Sequence, residues 1–300
     1  MGYQNQYDTD MFGLQLSRDL DDSTYAFIQT VPYYAHRVAP IFDQLDLKGQ
    51  FSISVMIPKT WTSITTGPLI ATIPDASDPN RQDFSPQNEK NEGKIQIENR
   101  SIIENLSFFK ENKSNEMDES QYKINIHEET PPLPSYLFNL VCGPFQEFKH
   151  PVDQCYHSIP MSIYCRKSLR PFLEEQLENI FHFKKTGLRF YSEYFKVDYP
   201  FKKMDTIFCP DFSWSAMEMP AAITYSETHI PRRENTVMDV NDRGLVILHE
   251  ISHMWIGDLV TMKWWDDLWL NESFAEFICH LAYEKCRGEL RKKLETINPW

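Results

Sequence analysis

The chain has 300 residues, of which 41% are hydrophobic and 14% are aromatic, and its formal net charge at pH 7 is −13. This apolar content argues against a disordered chain, and the length is enough for about two domains with a packed core. The acidic charge argues against nucleic acid as a partner, because binding to phosphates requires a basic surface.

The first half of the sequence predicts a β-rich domain over residues 1–150. β-branched and aromatic residues, or an alternation of apolar and polar residues, predict strands at 25–29, 51–57 and 137–141. Prolines separate these segments, as is typical of turns. Residues 86–120 are rich in Asn, Glu, Lys and Ser, which predicts a mobile insertion in this domain.

The second half, residues 151–300, has a different pattern. Apolar residues between 169 and 195 recur mainly at helical spacing, which predicts a helix that packs on a core. Residues 204–209 predict a strand, and residues 271–283 form a helix-like run. No internal repeat is visible.

A further helix is predicted just before this last run, with Asn241 or Asp242 as its N-cap. Three tryptophans, Trp264, Trp265 and Trp269, separate it from the run that follows. Large aromatic side chains in such a position more often pack two helices together than line a pocket. We therefore expect helix packing as their main role.

The most informative motif is H-E-x-x-H, formed by His249, Glu250 and His253, with Glu272 nineteen residues further on. Positions i and i+4 share one face of a helix, so both imidazoles can bind a single cation. Glu272 can supply a third, anionic ligand. Two imidazoles and a carboxylate leave one position of a tetrahedral zinc ion open, which is the arrangement of a catalytic site. The apolar residues around the motif predict a buried helix, in which polar side chains need a partner.

The region from His249 to Ser273 resembles the zinc aminopeptidases related to aminopeptidase N. That family carries H-E-x-x-H, then eighteen residues, then a glutamate within W-L-N-E, which here is Trp269-Leu270-Asn271-Glu272. The resemblance covers most of the chain, and the other similar segments are residues 29–51, 137–145, 164–169 and 199–201. The chain is identified as a member of this family.

The resemblance implies an α+β fold. A partial β-rich N-terminal domain of saddle or sandwich type is followed by the first half of a thermolysin-like, mainly helical catalytic domain. It also implies one zinc ion held by His249, His253 and Glu272, with Glu250 as the general base that takes a proton from the attacking water and passes it to the leaving amine.

The family also uses a G-x-M-E-N loop, which here reads Ser215-Ala216-Met217-Glu218-Met219. The resemblance assigns Glu218 to the free α-amine of the substrate, and it assigns Ala216 and Met217 to the backbone that lines the substrate. Gln29 matches the glutamine of the family's Q-F-E-P motif, so it is a fourth expected substrate-binding residue. The expected substrates are peptides with a free N-terminus.

Three positions depart from the family pattern. Ser215 replaces a glycine of the loop, and its side chain is expected to narrow the cleft. Met219 replaces the asparagine and removes an amide. Val31 stands where the family places a second amine-binding glutamate, so we expect altered recognition of the N-terminus.

The family's oxyanion-stabilising tyrosine lies well beyond the third zinc ligand, and none of the tyrosines before Trp300 corresponds to it. The expectation is an interior piece of a longer enzyme or a shortened relative. Residues 1–22 are polar and acidic, and no run of about eighteen apolar residues occurs, which predicts neither a signal peptide nor a membrane span. The six cysteines are scattered without C-x-x-C pairs, which is typical of reduced thiols and of a cytoplasmic protein.

The predicted function is therefore zinc-dependent hydrolysis of the N-terminal peptide bond. Two alternatives remain at this point. A non-catalytic relative could keep the zinc site and bind peptides or a partner, which the departures at Val31 and Met219 favour. A relative could also hydrolyse a different bond, as the leukotriene epoxide-hydrolysing members of the family do.

Overall fold

The computed structural model describes residues 6–77 and 118–297, with side chains described up to residue 288. The first part contains two antiparallel sheets. The four-stranded sheet has the order β1-β2-β7-β4, and the three-stranded sheet has the order β3-β6-β5. Their strands are β1 (Gly13–Arg18), β2 (Thr24–Gln29), β3 (Ser54–Pro58), β4 (Thr62–Ile64), β5 (Leu69–Ile73), β6 (Tyr122–His127) and β7 (Val141–Gly143).

A five-stranded mixed sheet follows, with the order β11-β12-β10-β9-β8. Its central strands β9, β10 and β12 are parallel, and both edge strands are antiparallel to their neighbours. The central strands are fully buried, as expected for parallel strands with long apolar runs. The strands are β8 (Gln146–Lys149), β9 (Met161–Cys165), β10 (Met204–Cys209), β11 (Ala216–Met217) and β12 (Ala222–Ser226).

The helices lie mainly in the second half. They are α1 (Ala35–Val38), α2 (Arg170–Glu174), α3 (Leu177–Phe195), α4 (Val237–His253) and α5 (Leu268–Ile297). Short 3₁₀ segments occur at Glu119–Gln121, Ser135–Leu137, Val152–Gln154, Tyr156–Ser158, Lys167–Leu169, Glu227–His229 and Trp265–Asp267. The combination of antiparallel sheets with a helical region confirms the predicted α+β class.

Helix α4 packs against both α3 and α5. Its contact with α3 requires a small residue, because a Cβ atom on Gly244 would lie 2.4 Å from the ring of Phe183. The hydroxyl of Tyr191 on α3 donates a hydrogen bond to the carbonyl of Leu248, at 2.8 Å. One continuous apolar core extends from Tyr25 in the first sheet to residues of α5, so the two halves of the chain share their packing.

The predicted boundary near residue 150 stays a prediction. The strand just before it, β8, pairs with β9 and so belongs to the sheet of the second half. The predicted insertion at 86–120 lies outside the described residues, apart from 118–120.

Two sequence predictions are wrong in detail. Residues 137–141 were expected to form a strand, but Ser135–Leu137 is a 3₁₀ segment and the strand begins at Val141. The apolar pattern there reflects burial in the core and not strand pairing. The helix that carries the motif begins at Val237, before Asn241 and Asp242, because Thr236 and Asp239 form a reciprocal capping box.

All six cysteines are thiols, and five of them are buried, in agreement with the expectation of reduced core cysteines. In the described part of the chain, no helix combines enough length and apolar character to cross a membrane.

Candidate active site

Helices α4 and α5 bring the three expected metal ligands together. The donor atoms of His249, His253 and Glu272 all lie within 4.8 Å of one another. Nε2 of His249 is 3.1 Å from Nε2 of His253, and Oε2 of Glu272 lies 3.4 Å and 3.8 Å from these two nitrogens. Tetrahedral ligands about 2.0–2.1 Å from zinc are about 3.3–3.4 Å apart, so the three atoms fit the ion with little rearrangement.

The outer nitrogens of both rings face hydrogen-bond acceptors. Nδ1 of His253 lies 3.0 Å from the carbonyl oxygen of Ile256, to which its N–H donates. Nδ1 of His249 lies 3.3 Å from Oε2 of Glu276. Acceptors of this kind hold the proton on Nδ1, so the Nε2 lone pairs point toward the ligand cluster. Such second partners are typical of histidines that bind zinc, and the residues present therefore fit this metal.

Without a metal, the cluster binds protons. Burial lowers the pKa of His249, but contacts with Cys279 and Glu272 and nearby negative charges outweigh burial and raise this pKa to about 11. Burial raises the pKa of Glu272, yet the hydrogen bond from His249 and the charges of both histidines lower it overall. A metal ion must displace the proton on His249, which couples binding of the ion to pH.

The cluster forms one wall of a cavity of about 290 Å³. Glu218 and Glu250 also line this cavity. Its remaining walls are mainly apolar and include Val31, Tyr136, Trp214, Met217, Trp265 and Leu268. A concave, mainly apolar cavity with a few convergent polar groups is the usual form of a ligand site.

The two additional glutamates are both buried, with 6% of each side chain exposed. Oε2 of Glu250 is buried and has no hydrogen-bond partner among the described residues, although Glu250 lines the cavity. Burial is the main reason that the pKa values of Glu218 and Glu250 are raised, and the negative charge of Glu272 adds to this effect. A cationic or proton-donating ligand would relieve this unfavourable burial.

Strand β11 places Ala216 and Met217 at the cavity. Among the described strands it pairs with β12 alone, through Ala216 with Tyr225 and Met217 with Thr224. An edge strand has unpaired backbone groups, which can bind an extended peptide as an additional strand. Three of the four expected substrate-binding residues, Ala216, Met217 and Glu218, line the cavity.

The fourth, Gln29, does not belong to the cavity lining. It is 1% exposed, and neither polar atom of its amide has a hydrogen-bond partner in the described part of the chain. Among the three departures from the family pattern, only Val31 reaches the cavity. Ser215 was expected to narrow the cleft, but its hydroxyl lies 3.0 Å from Nε2 of His229, outside the lining. Met219 is fully buried in the core.

The expectation that the three tryptophans mainly pack the two helices together is wrong for Trp264 and Trp269, which are exposed, and Trp265 lines the cavity. Trp264 and Trp269 are 46% and 62% exposed. Trp265 packs edge-to-face on Tyr136, with ring centroids 5.2 Å apart, and both rings line the cavity. The sequence offered no signal for Tyr136 or Trp214, because only folding brings these segments to the motif.

Two further residues near the outer nitrogen of His249, Glu276 and Cys279, could have been identified from the sequence as neighbours of the site. Glu276 and Cys279 lie four and seven positions after Glu272, and this spacing keeps residues on one face of a helix. The same periodicity that relates the two histidines therefore points to both residues.

Residues 180–298 match the peptidase family M1 domain. Aminopeptidase N of Streptomyces lividans is 33% identical over 86% of this chain and 24% of its own length. Tricorn protease-interacting factor F2 of Thermoplasma acidophilum is 30% identical over 90% of this chain and 28% of its own length. Leucyl aminopeptidase of Saccharolobus solfataricus is 35% identical over 56% of this chain and 20% of its own length. The chain thus spans about a quarter of the length of these relatives.

Proposed function

The chain belongs to peptidase family M1 and is related to aminopeptidase N, and from this premise we propose that it acts as a zinc-dependent aminopeptidase. The substrates would be peptides with an unblocked N-terminus, and the bond cleaved would be the first peptide bond. The observation that carries the proposal is a single cavity that contains the ligand cluster of His249, His253 and Glu272 together with Glu218 and Glu250.

Zinc bound by the three ligands would supply Lewis acidity for the attack of water on the peptide carbonyl. Glu250 would accept the proton of the attacking water and pass it to the leaving amine. Its unpartnered, buried Oε2 atom supports this role, since no protein donor in the described residues competes for it. The raised pKa, caused mainly by burial, favours the protonated form that must exist between the two proton transfers.

Glu218 would bind the α-ammonium group of the substrate, and the edge of β11 would bind the backbone. A carboxylate that is buried in an apolar cavity gains more from an ammonium partner than an exposed one does, because less water competes. Because Val31 is apolar, Glu218 would supply this charge alone or together with Glu272, which also lines the cavity. Such an arrangement would limit cleavage to the first peptide bond of the substrate.

The domain description belongs to the same proposal. Residues 1–150 would form part of an N-terminal β-domain, and residues 151–300 part of a thermolysin-like catalytic domain. The cytoplasmic location predicted from the scattered thiols is likewise part of it.

The test is hydrolysis of a panel of aminoacyl-naphthylamides by the zinc-loaded chain, with and without a chelator. Glu250→Gln keeps the size of the side chain but cannot act as a base, and we expect it to reduce turnover by about 10²–10⁴-fold. Glu284→Gln is the matched control, because Glu284 is exposed and lies outside the cavity. Activity that resists chelation, or that survives in Glu250→Gln, contradicts the proposal.

The rival function is peptide binding without catalysis. One observation favours it, namely that the apolar Val31 lines the same cavity as Glu218. Stoichiometric binding of zinc and of a free-amine peptide, with no turnover of any substrate, would support this rival.

A further inference from the structure

A second group of possible ligands surrounds the outer nitrogen of His249. The donor atoms of His249, Glu276 and Cys279 all lie within 4.8 Å of one another. Nδ1 of His249 is 3.3 Å from Oε2 of Glu276, and the thiol of Cys279 lies 3.1 Å from the carbonyl of Glu276. Glu276 and Cys279 are three positions apart on α5, so both face α4 from the same side of the helix.

This second group differs from the first in its chemistry. The first offers two imidazole nitrogens and a carboxylate oxygen, whereas the second offers one nitrogen, one oxygen and one sulfur. Thiolate ligands select softer cations than nitrogen and oxygen ligands do. Cys279 is 1% exposed, but the Glu276 side chain is 64% exposed, so an ion can reach the group from solvent along Glu276.

The two groups share the ring of His249. A neutral imidazole has one free lone pair, which lies on Nε2 or on Nδ1 depending on the tautomer. An ion at the first group uses Nε2, and an ion at the second group uses Nδ1. The two positions are therefore alternatives, and an ion at the second position withdraws His249 from the first.

We propose that His249, Glu276 and Cys279 form a second metal position that takes soft divalent cations such as Cd²⁺. When the ion binds, the thiol of Cys279 releases its proton to solvent as the sulfur–metal bond forms, and the ring of His249 keeps its proton on Nε2. Zinc is harder than cadmium and favours the group with two nitrogens. The identity of the ion thus selects the position, and a soft ion moves His249 out of the arrangement that hydrolysis requires. Only this last consequence rests on the proposed function.

The first test follows thiolate-to-cadmium charge-transfer absorption in the ultraviolet as CdCl₂ is added to the metal-free chain. We expect the absorption in the wild type, its loss in Cys279→Ser, and weaker cadmium binding in Glu276→Gln, which lacks the carboxylate charge. Cys286→Ser is the matched control, since Cys286 is also a buried thiol of α5 but lies outside the group, and it should retain the absorption. His253→Ala removes a ligand of the first position alone, so it should weaken zinc binding and leave the cadmium absorption intact.

Absence of the absorption in the wild type would overturn the inference, as would its persistence in Cys279→Ser. Equal loss in Cys286→Ser would also overturn it, because the effect would then be one of general thiol packing. A second measurement adds CdCl₂ to the zinc-loaded chain during hydrolysis, where the wild type should lose activity and Cys279→Ser should keep it.

Failure of this inference can be distinguished from failure of the proposed function. Suppose that the metal-free chain gives a cadmium absorption that depends on Cys279, and that the zinc-loaded chain hydrolyses no substrate. These two results together would refute the proposed aminopeptidase activity and support the second metal position. Zinc-dependent hydrolysis without a cadmium absorption would instead support the aminopeptidase activity and refute the second metal position.

Discussion

Replacement of Glu218 by glutamine tests how the cavity binds a substrate amine. The variant keeps the size and hydrogen-bonding shape of a buried side chain, 6% exposed in the wild type, but removes its charge. Hydrogen bonds to charged groups contribute about 1.5–3 kcal/mol to binding. Because each 1.36 kcal/mol is a factor of ten, kcat/KM for free-amine substrates should fall by about 10- to 150-fold.

Stability should change in the opposite direction. Burial is the main cause of the raised pKa of Glu218, and Glu272 contributes to it. A raised pKa means that the folded chain binds the proton more tightly than the unfolded chain does, so the fold loses stability as pH rises above the ordinary value of a glutamate. Glu218→Gln removes this loss, and at pH 8 the variant should unfold at the same temperature as the wild type or at a higher one.

The assay compares aminoacyl-naphthylamides with a free amine against their N-acetylated forms, and it uses Glu284→Gln as the exposed control. The free-amine substrates should lose their advantage in Glu218→Gln, while the acetylated forms should be unaffected. An equal loss for both kinds of substrate would refute the reasoning, and so would a lower unfolding temperature, because either result means that Glu218 supports the structure and does not recognise the amine.

Three further predictions concern stability. Gly244→Ala places a Cβ atom 2.4 Å from the ring of Phe183, so urea titrations should show a free energy of unfolding lower by about 1–3 kcal/mol. Gly288→Ala is the control, because no atom lies within 4 Å of the added Cβ, and it should raise the free energy of unfolding by about 0.5–1 kcal/mol. Burial lowers the pKa of His127 to about 4, so the unfolded chain binds the proton more tightly than the folded chain does. The free energy of unfolding should therefore fall by up to about 3 kcal/mol as pH decreases from 6.5 to 4. In His127→Gln this dependence on pH should be weaker. Free zinc at about 100 times its Kd should stabilise the metal-free chain by about 2.7 kcal/mol in calorimetry, and His253→Ala should abolish the gain.

Local patterns predicted those elements of the fold that depend on neighbouring residues. The strand at 204–209 coincides with β10, because a run of apolar residues between turns reports directly on a buried strand. The helical run from 169 to 195 appears as α2 and α3, separated at residues 175 and 176. The spacing of His249 and His253 also needed no tertiary information, since four residues are one turn of a helix.

Other features depend on contacts between distant segments. Tyr136 reaches the cavity from the first half of the chain, and its ring meets Trp265 more than one hundred residues later. Apolar character alone did not separate Trp265, which lines the cavity, from Trp264 and Trp269, which are exposed. These differences depend on which distant segments each side chain meets after folding, which no periodicity in the sequence specifies.

A departure from a family motif acts directly on a bound ligand only where the changed side chain reaches the cavity. Ser215 contacts His229, and Met219 is enclosed by the core, so neither changes the surface that a substrate meets. Val31 is different, because its side chain is part of the cavity wall together with Glu218. An apolar residue in the same cavity would lower the polarity around the ammonium group of the proposed substrate, which would strengthen its attraction to Glu218 while a second ionic partner is missing. Of the three departures, Val31 is therefore the one expected to alter recognition of the N-terminus.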